Sequence, residues 1–415
     1  MITTGRAPAP DDAGTASTPE LRFPAGFWWG AATAAHQVEG NNTTSDWWTR
    51  EHRRDSDLPE PSDDAVDSYH RYPEDVALVA DAGLGMYRFS VEWARIEPEQ
   101  GSFSRAQLDH YRRMVDACRT RGVEPMVTLH HCTNPLWFAR RGGWREDDAP
   151  DLFARYVERV LPVLDDVTWV CTINEPNMLA SLRDWEAVEM LASRRPEPDV
   201  HVAEVLVRAH RGAREVLASS GGLLTGWTIG TQDFQPLPGA EDVARDYGYY
   251  REDFFTESAA GDDFIGVQNY SRTVIGPDGP LPLPPGVETN ILGWEYHPAA
   301  LGNALRHSWE LGRGTPLIVT ESGLATRDDE RRIDHTAAAL EGVRAALDDG
   351  VDVRGYLYWS LLDNYEWGSY DPTFGLVAWD RETFERRPKP SLRWLGDVAR
   401  TGVVPSRPRA RGSAA

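Results

Sequence analysis

The sequence predicts an α/β protein, a single (β/α)8 barrel with long loops at its C-terminal face. Three observations predict it. Eight short apolar runs alternate with segments whose apolar residues recur at helical spacing, the pattern of a parallel sheet wrapped by helices. Some runs are apolar at consecutive positions, as in Pro-Leu-Ile-Val-Thr-Glu-Ser-Gly at 316–323, which marks strands buried on both faces. Polar residues gather where the runs end, and in such a barrel those ends form the functional rim. The 415 residues suit one barrel with insertions. Residues 21–400 are assigned to the barrel, 1–20 to a disordered tail and 401–415 to a flexible one.

The first strand is expected over 27–37, ending at Gln37, followed by a polar, acidic stretch at 41–67 suited to a loop over the barrel mouth. The next helix has Pro73 in its first turn, Glu74 and Asp75 at its positive dipole end, and Gly83 at its stop. The second strand, 86–93, carries Arg88. Ser104 and Gln107 have capping-box spacing and open a helix with Leu108, Tyr111, Val115 and Cys118 on one face. The third strand, 124–131, ends in His130 and His131, of which alternation lets only one face the mouth. Helix 151–164 leads to the fourth strand, halted by Pro176 after Glu175. Helix 200–219 and strand 223–230 form the fifth unit. Strand 263–270 is the sixth, followed by a loop at 271–293, dense in Pro and Gly and long enough for a lid or a wall. Strand 316–323, helix 333–349, strand 353–361 and helix 390–400 complete the set. There is no internal repeat and no phosphate-cradling glycine loop.

Bulk composition excludes several functions. With 65 acidic against 43 basic residues, the net charge of −22 has the wrong sign for nucleic acid or an anionic membrane surface. Nearly all the basic residues are arginine, Lys389 being the sole lysine. Cys118, Cys132 and Cys171 are odd in number and lack metal-ligand spacing, so neither disulfides nor a zinc site is expected and the chain reads as cytoplasmic. Residues 1–20 lack the apolar core of a signal peptide, and no run has the length of a membrane span. No metal and no cofactor is expected. The sequence does not specify an oligomeric state.

Glu175 and Glu321 end two strands far apart in sequence. A barrel that brings them to one mouth supplies the carboxylate pair of a retaining glycosidase, one nucleophile and one proton shuttle, roughly 5–5.5 Å apart. Either glutamate alone could simply cap the next helix; the pair is the stronger signal.

Taken together, these stretches resemble glycoside hydrolase family 1, the β-glucosidase and β-glycosidase family, from about Phe23 to Trp394. The matching motifs come in order: FWWGAATAAHQVEG at 27–40, YRFSVEW at 87–93, TLHHCTNPLWFARRGGW at 128–144, TINEPN at 172–177, VTESG at 319–323 and WSLLDNYEW at 359–367. The resemblance implies a retaining enzyme acting on small β-glucosides, galactosides or fucosides, transglycosylating when an acceptor replaces water. It implies Glu175 as general acid/base, Glu321 as nucleophile and Asn174 as partner of the sugar 2-hydroxyl. Arg88 and Tyr270 match the groups that hold and tune the nucleophile. Gln37, His131, Glu366 and Trp367 match residues that read the sugar hydroxyls, and Trp359 the platform beneath the ring. An arginine beside Glu321 would favour its ionised form, while Glu175, less charge-compensated, would hold a proton near neutral pH.

The chain also departs from the family pattern. Cys132 stands where an aromatic residue is common, weakening one wall of the sugar pocket. Asn177 replaces a frequent tryptophan, implying a more polar leaving-group side. Residues 267–270 read Val-Gln-Asn-Tyr rather than ending Asn-Tyr-Tyr, and after Trp367 the glycine–tyrosine spacing is one residue short at Gly368-Ser369-Tyr370. Glu366, together with the near absence of lysine, sets aside the phosphorylated-sugar branch, since a carboxylate would repel the phosphate. His36, His70 and His130 read as structural, as do Trp28, Trp29, Trp47 and Trp48; Asp363 and Asn364 read as turn chemistry. Two other readings compete: a non-catalytic sugar-binding barrel, and a metal-dependent hydrolase using His130 and His131. Both glutamates and Arg88 speak against the first, and opposite-facing neighbours on a strand against the second.

Overall fold

The apolar runs become eight parallel strands: β1 (Trp28–Ala32), β2 (Met86–Ser90), β3 (Glu124–His131), β4 (Trp169–Asn174), β5 (Leu224–Thr231), β6 (Phe264–Asn269), β7 (Leu317–Glu321) and β8 (Val353–Trp359). They pair in sequence order and β8 returns to β1, closing a barrel. The computed structural model of the chain describes residues 20–181 and 196–405. The expected tails fall largely outside these residues. Helices follow the strands in turn: α1 (Ser68–Ala82), α2 (Arg105–Thr120), α3 (Ala149–Val160), α4 (Val200–Ala218), α5 (Asp253–Ser258), α6 (Ala300–Leu311), α7 (Asp329–Asp348) and α8 (Pro390–Thr401). Outward strand residues such as Val127, Val170, Val267 and Val319 pack with Tyr156, Leu206 and Leu340 of the helices. Met86, Met126, Phe264, Ile318 and Leu357 fill the N-terminal part of the barrel interior.

Local chemistry moves several boundaries. β1 stops at Ala32, and Gln37 lies in a short helix, Ala35–Glu39, tied to β2 by the Ala35 N–H donating to Ser90 Oγ at 2.7 Å. Pro73 lies inside α1 rather than in its first turn. The helix extends backwards because its polar start is anchored: Ser68 donates to Asp75 at 2.7 Å, and the buried Asp75 pairs with Arg386 at 2.8 Å. β2 ends at Ser90, and Trp93–Ile96 forms a helical turn capped by the Glu92 side chain. Ser104 caps α2 through the Gln107 N–H, but the Gln107 side chain accepts from Tyr69 instead of completing the box. Residues 271–293 form a wall, with Thr273–Gly276 and Gly279–Pro280 joining Phe234–Pro236 in a small sheet. Ordered chain also passes the boundary expected at residue 400, since Val403–Val404 pairs with Leu21–Arg22. Among the described residues no helix is long and apolar enough to cross a membrane.

Candidate active site

Strict alternation along β7 would turn Glu321 outward with Leu317 and Val319, which pack against the helices. The pairing of β7 with β6 slips between Val319 and Glu321, and the glutamate turns inward. β4 uses the same device. Val170 faces outward, as does Thr172, hydrogen-bonded to His210 of α4 at 2.7 Å; the register with β5 then shifts between Cys171 and Asn174, and Asn174 turns inward. On β3, His130 packs outside against Trp144 and Phe153 and bonds Asn134 at 2.9 Å. His131 faces the interior. The two histidines point to opposite sides of the sheet, which removes the metal-chelate reading.

Arg88, on β2 and fully buried, is the hub of this interior. Its Nη1 donates to Glu321 Oε1 at 2.6 Å, its Nη2 to Asn174 Oδ1 at 2.5 Å and its Nε to Thr128 Oγ1 at 3.0 Å. Tyr270 donates its hydroxyl to the other Glu321 oxygen at 2.7 Å. Glu321 is thus held at both oxygens in one orientation. Burial pushes its carboxyl above the usual glutamate value; Arg88 and the Tyr270 hydrogen bond pull it down. The ionising influence expected of Arg88 is present, but desolvation outweighs it.

The residues expected to read a sugar surround this pair. Gln37 Nε2 lies 3.0 Å from Asn364 Oδ1 and 3.2 Å from Glu366 Oε2, and the Trp359 indole N–H donates to Glu366 Oε1 at 3.2 Å. Burial raises Glu366 to about 8, and it drives His131 well below its usual value, with Arg88 adding to the effect, so His131 is neutral. The His131 ring stacks 5.9 Å from Trp359 and 6.3 Å from Trp367. Every predicted site residue except Arg88, which lies beneath, lines one cavity of about 110 Å3. Gln37 Oε1, His131 Nδ1 and Gln268 Oε1 are buried on that lining without a hydrogen-bond partner. Buried polar atoms are rarely left so, and these suit a ligand dense in hydroxyls.

Glu175 continues the β4–β5 ladder, its N–H donating to Thr228 O at 2.7 Å. Its φ of 45° is left-handed, a conformation that non-glycine residues hold only where their surroundings impose it. Cys132 (φ 64°) and Trp367 (φ 48°) share this feature on the same cavity wall. Gly230 makes room for the carboxyl, because a Cβ there would stand 2.5 Å from Glu175 Oε1.

The sequence model described as Glycosyl hydrolase family 1 matches residues 20–196 and 262–403. The chain belongs to glycosyl hydrolase family 1. Thermostable beta-glucosidase B of Thermobispora bispora is 32% identical, with 96% of this chain and 94% of that protein covered. The bifunctional beta-D-glucosidase/beta-D-fucosidase of Bifidobacterium breve is 30% identical, with 90% and 97% covered. Among solved structures, beta-glycosidase BGL167 superposes with a TM-score of 0.85 at 46% identity, over 94% of this chain and 99% of that one. The chain is therefore a glycoside hydrolase, a retaining β-glycosidase on a TIM barrel.

Some features of this glycosidase's site lie outside the residues expected from the motifs. Gln268 of β6 donates to Asn174 Oδ1 at 2.9 Å and lines the cavity; its signal was a strand-end glutamine in phase with inward residues Phe264 and Gly266. Asn364, read as turn chemistry, accepts from Gln37 and donates to Ser360 Oγ at 3.0 Å, fixing the Gln37 amide. Asn177 does not reach the cavity. Its amide bonds the backbone of Gly230 and Arg251 at 2.8 and 2.7 Å, and Met178 faces the cavity instead, so the polar leaving-group side expected from Asn177 does not come from that residue. Cys132 does line it.

Proposed function

We propose that this glycosidase cleaves β-glucosides, with β-fucosides and β-galactosides as neighbouring substrates, using Glu321 as nucleophile and Glu175 as general acid/base. The observation that carries this is the pairing of two strand-end glutamates on one cavity, with Glu321 held by Arg88 and Tyr270. In the first step a Glu321 oxygen attacks the anomeric carbon while Glu175 gives its proton to the departing oxygen, leaving a glycosyl ester. The ester removes the charge of Glu321, so Glu175 holds its next proton less tightly in the field of fewer neighbours and can accept one from water. Water then attacks the anomeric carbon, breaks the ester and releases the sugar with its configuration retained. An acceptor hydroxyl in place of water gives transglycosylation.

Asn174 supports the sugar 2-hydroxyl: its Oδ1 is occupied by Arg88, Thr228 and Gln268, and Nδ2, which lies 3.3 Å from His131 Nε2, keeps a second N–H to donate. Gln37, His131, Glu366 and Trp367 read the remaining hydroxyls, and Trp359 lies under the ring. Three buried cysteines without disulfides suit a reducing compartment, the cytoplasm.

The test is nitrophenol release from aryl β-glucoside, galactoside, fucoside and xyloside by wild type and Glu321→Gly, with and without azide. Turnover by wild type, its loss in the variant and azide rescue to an inverted glycosyl azide are expected. Undiminished turnover by Glu321→Gly would sink the assignment.

A further inference from the structure

The strands that carry the active site are gripped from behind as well as in front. We propose that His210, on the outer face of the barrel, is a positioning residue for the reaction, clamping the irregularity between β4 and β5 that sets where Asn174 and Glu175 stand. The inference rests on Glu175 as general acid/base.

Between the pairs Cys171–Gly226 and Asn174–Thr228, two residues of β4 stand opposite one of β5. Thr172 and Ile173 face Trp227 alone across the ladder, the arrangement of a β-bulge. Ile173 packs in the same outer cluster as Val170, and Asn174 is the next residue to turn inward. His210 of α4 touches both sides of this bulge. Its Nδ1 lies 2.7 Å from Thr172 Oγ1, and its ring stacks on Trp227 with centroids 4.3 Å apart and planes 20° from parallel. His210, Thr172 and Trp227 are all fully buried.

The imidazole is itself held. Its Nε2 hydrogen-bonds to Asp262 Oδ2 at 2.8 Å, just ahead of β6, and the other Asp262 oxygen pairs with Arg214 of α4 at 2.7 Å. Both strands carry the constraint to the site within a few residues. Trp227 is followed by Thr228, whose Oγ1 donates to Asn174 Oδ1 at 2.9 Å and whose carbonyl accepts the Glu175 N–H at 2.7 Å. Thr172 leads through Ile173 to Asn174 and Glu175 themselves. Burying a histidine and a carboxylate behind a strand carries a desolvation cost that apolar side chains of the same volume would avoid. Apolar packing has no direction, however, and would hold α4 against the sheet at several offsets, whereas a hydrogen bond and a ring stack define one. Placement at this level matters, since a shift of about 1 Å at a reacting group costs on the order of 100-fold in rate.

The experiment measures kcat/KM, which reports the first bond cleavage, for dinitrophenyl and phenyl β-glucosides, a good and a poor leaving group. It compares wild type with Thr172→Val, Thr172→Ser, His210→Leu, Val170→Ala and Glu175→Ala, with thermal unfolding of each protein. Thr172→Val keeps the side chain's shape and removes its hydroxyl. It should lower kcat/KM about tenfold on the phenyl glucoside and less than about threefold on the dinitrophenyl glucoside, because only the poor leaving group needs a well-placed proton donor. Thr172→Ser restores the hydroxyl and should bring both rates back close to wild type. His210→Leu should show the same split more strongly; if it fails to fold, the two Thr172 variants carry the test. Val170→Ala removes packing from the outer face of the same strand, away from the clamp, and should lower the unfolding temperature with no leaving-group split.

Equal losses on both substrates in Thr172→Val, no loss on either, failure of Thr172→Ser to restore the rate, or the same split in Val170→Ala would overturn the positioning role. Glu175→Ala should show the steepest split of all. If it shows none, the acid/base assignment of Glu175 falls, and the clamp's role in the reaction falls with it.

Discussion

Two levels of one barrel interior are built by the same strands and have opposite character. In the N-terminal level Met86, Met126, Phe264, Ile318 and Leu357 are wholly buried and apolar. Two residues further along the same strands stand Arg88, Thr128, Thr320 and Trp359, joined by Glu321 at the end of β7 and by Asn174 from β4. The lower level is complete in itself, while the upper level keeps buried polar atoms without partners. The difference teaches where this protein places stability and where it places function. The apolar layer supports a rim that keeps hydrogen-bonding capacity unspent, as a ligand-binding surface requires.

Substitutions at the two levels can break that division. Glu321→Ala should cost roughly 10^4-fold or more in kcat, as removal of a nucleophile does in another hydrolase. Glu175→Ala should be more selective, releasing one burst of nitrophenol and then stalling as a glycosyl-enzyme, with a loss of about 10^2–10^4-fold on poor leaving groups. Burst kinetics check both; full steady-state activity in Glu175→Ala would contradict its role.

Arg88→Met sharpens the comparison, because it puts an apolar side chain in the polar level. It strands the buried Glu321 carboxyl and should cost about 3–5 kcal/mol of stability, measured by denaturant unfolding. Adding Glu321→Gln should recover part of that loss, which a purely steric effect would not. Ile318→Ala, in the apolar level, should cost about 2–4 kcal/mol. Its kcat/KM per folded molecule should stay within about twofold, and a larger fall would mean that the two levels are coupled.

The smallest effect concerns pH. Glu366 is raised to about 8 in the fold, against 4.5 for an ordinary glutamate. The native state therefore keeps a proton that the unfolded chain loses, and stability should decline as pH rises from about 5 to about 8. Glu366→Gln carries no such proton. Its unfolding midpoint should fall less over that range, and an unchanged slope would remove Glu366 as the cause.

Much of this was legible beforehand, and the misses have a common physical origin. The eight strands and most helices were readable because burial on both faces writes continuous apolar runs and helices write a 3.6-residue period. Boundaries went wrong where a side chain found a distant partner, as Ser68 and Asp75 did with Arg386 at the start of α1. Gln37 was expected at a strand end and is delivered by a helical turn, for which the sequence carries no apolar signal. Asn364 and Gln268 act through contacts with residues far away in the chain, which a local pattern does not record.

By itself the sequence determined the barrel, the order of its strands and the two glutamates, one just after β4 and one ending β7, since these follow from periodicity and from residue type at strand ends. Only the tertiary structure decided which way those strand ends face. Alternation alone would send Glu321 and Asn174 outward; the register slips that turn them towards Arg88 exist only between paired strands. Period-two patterning records a strand's two faces, and an irregularity in pairing belongs to two strands at once.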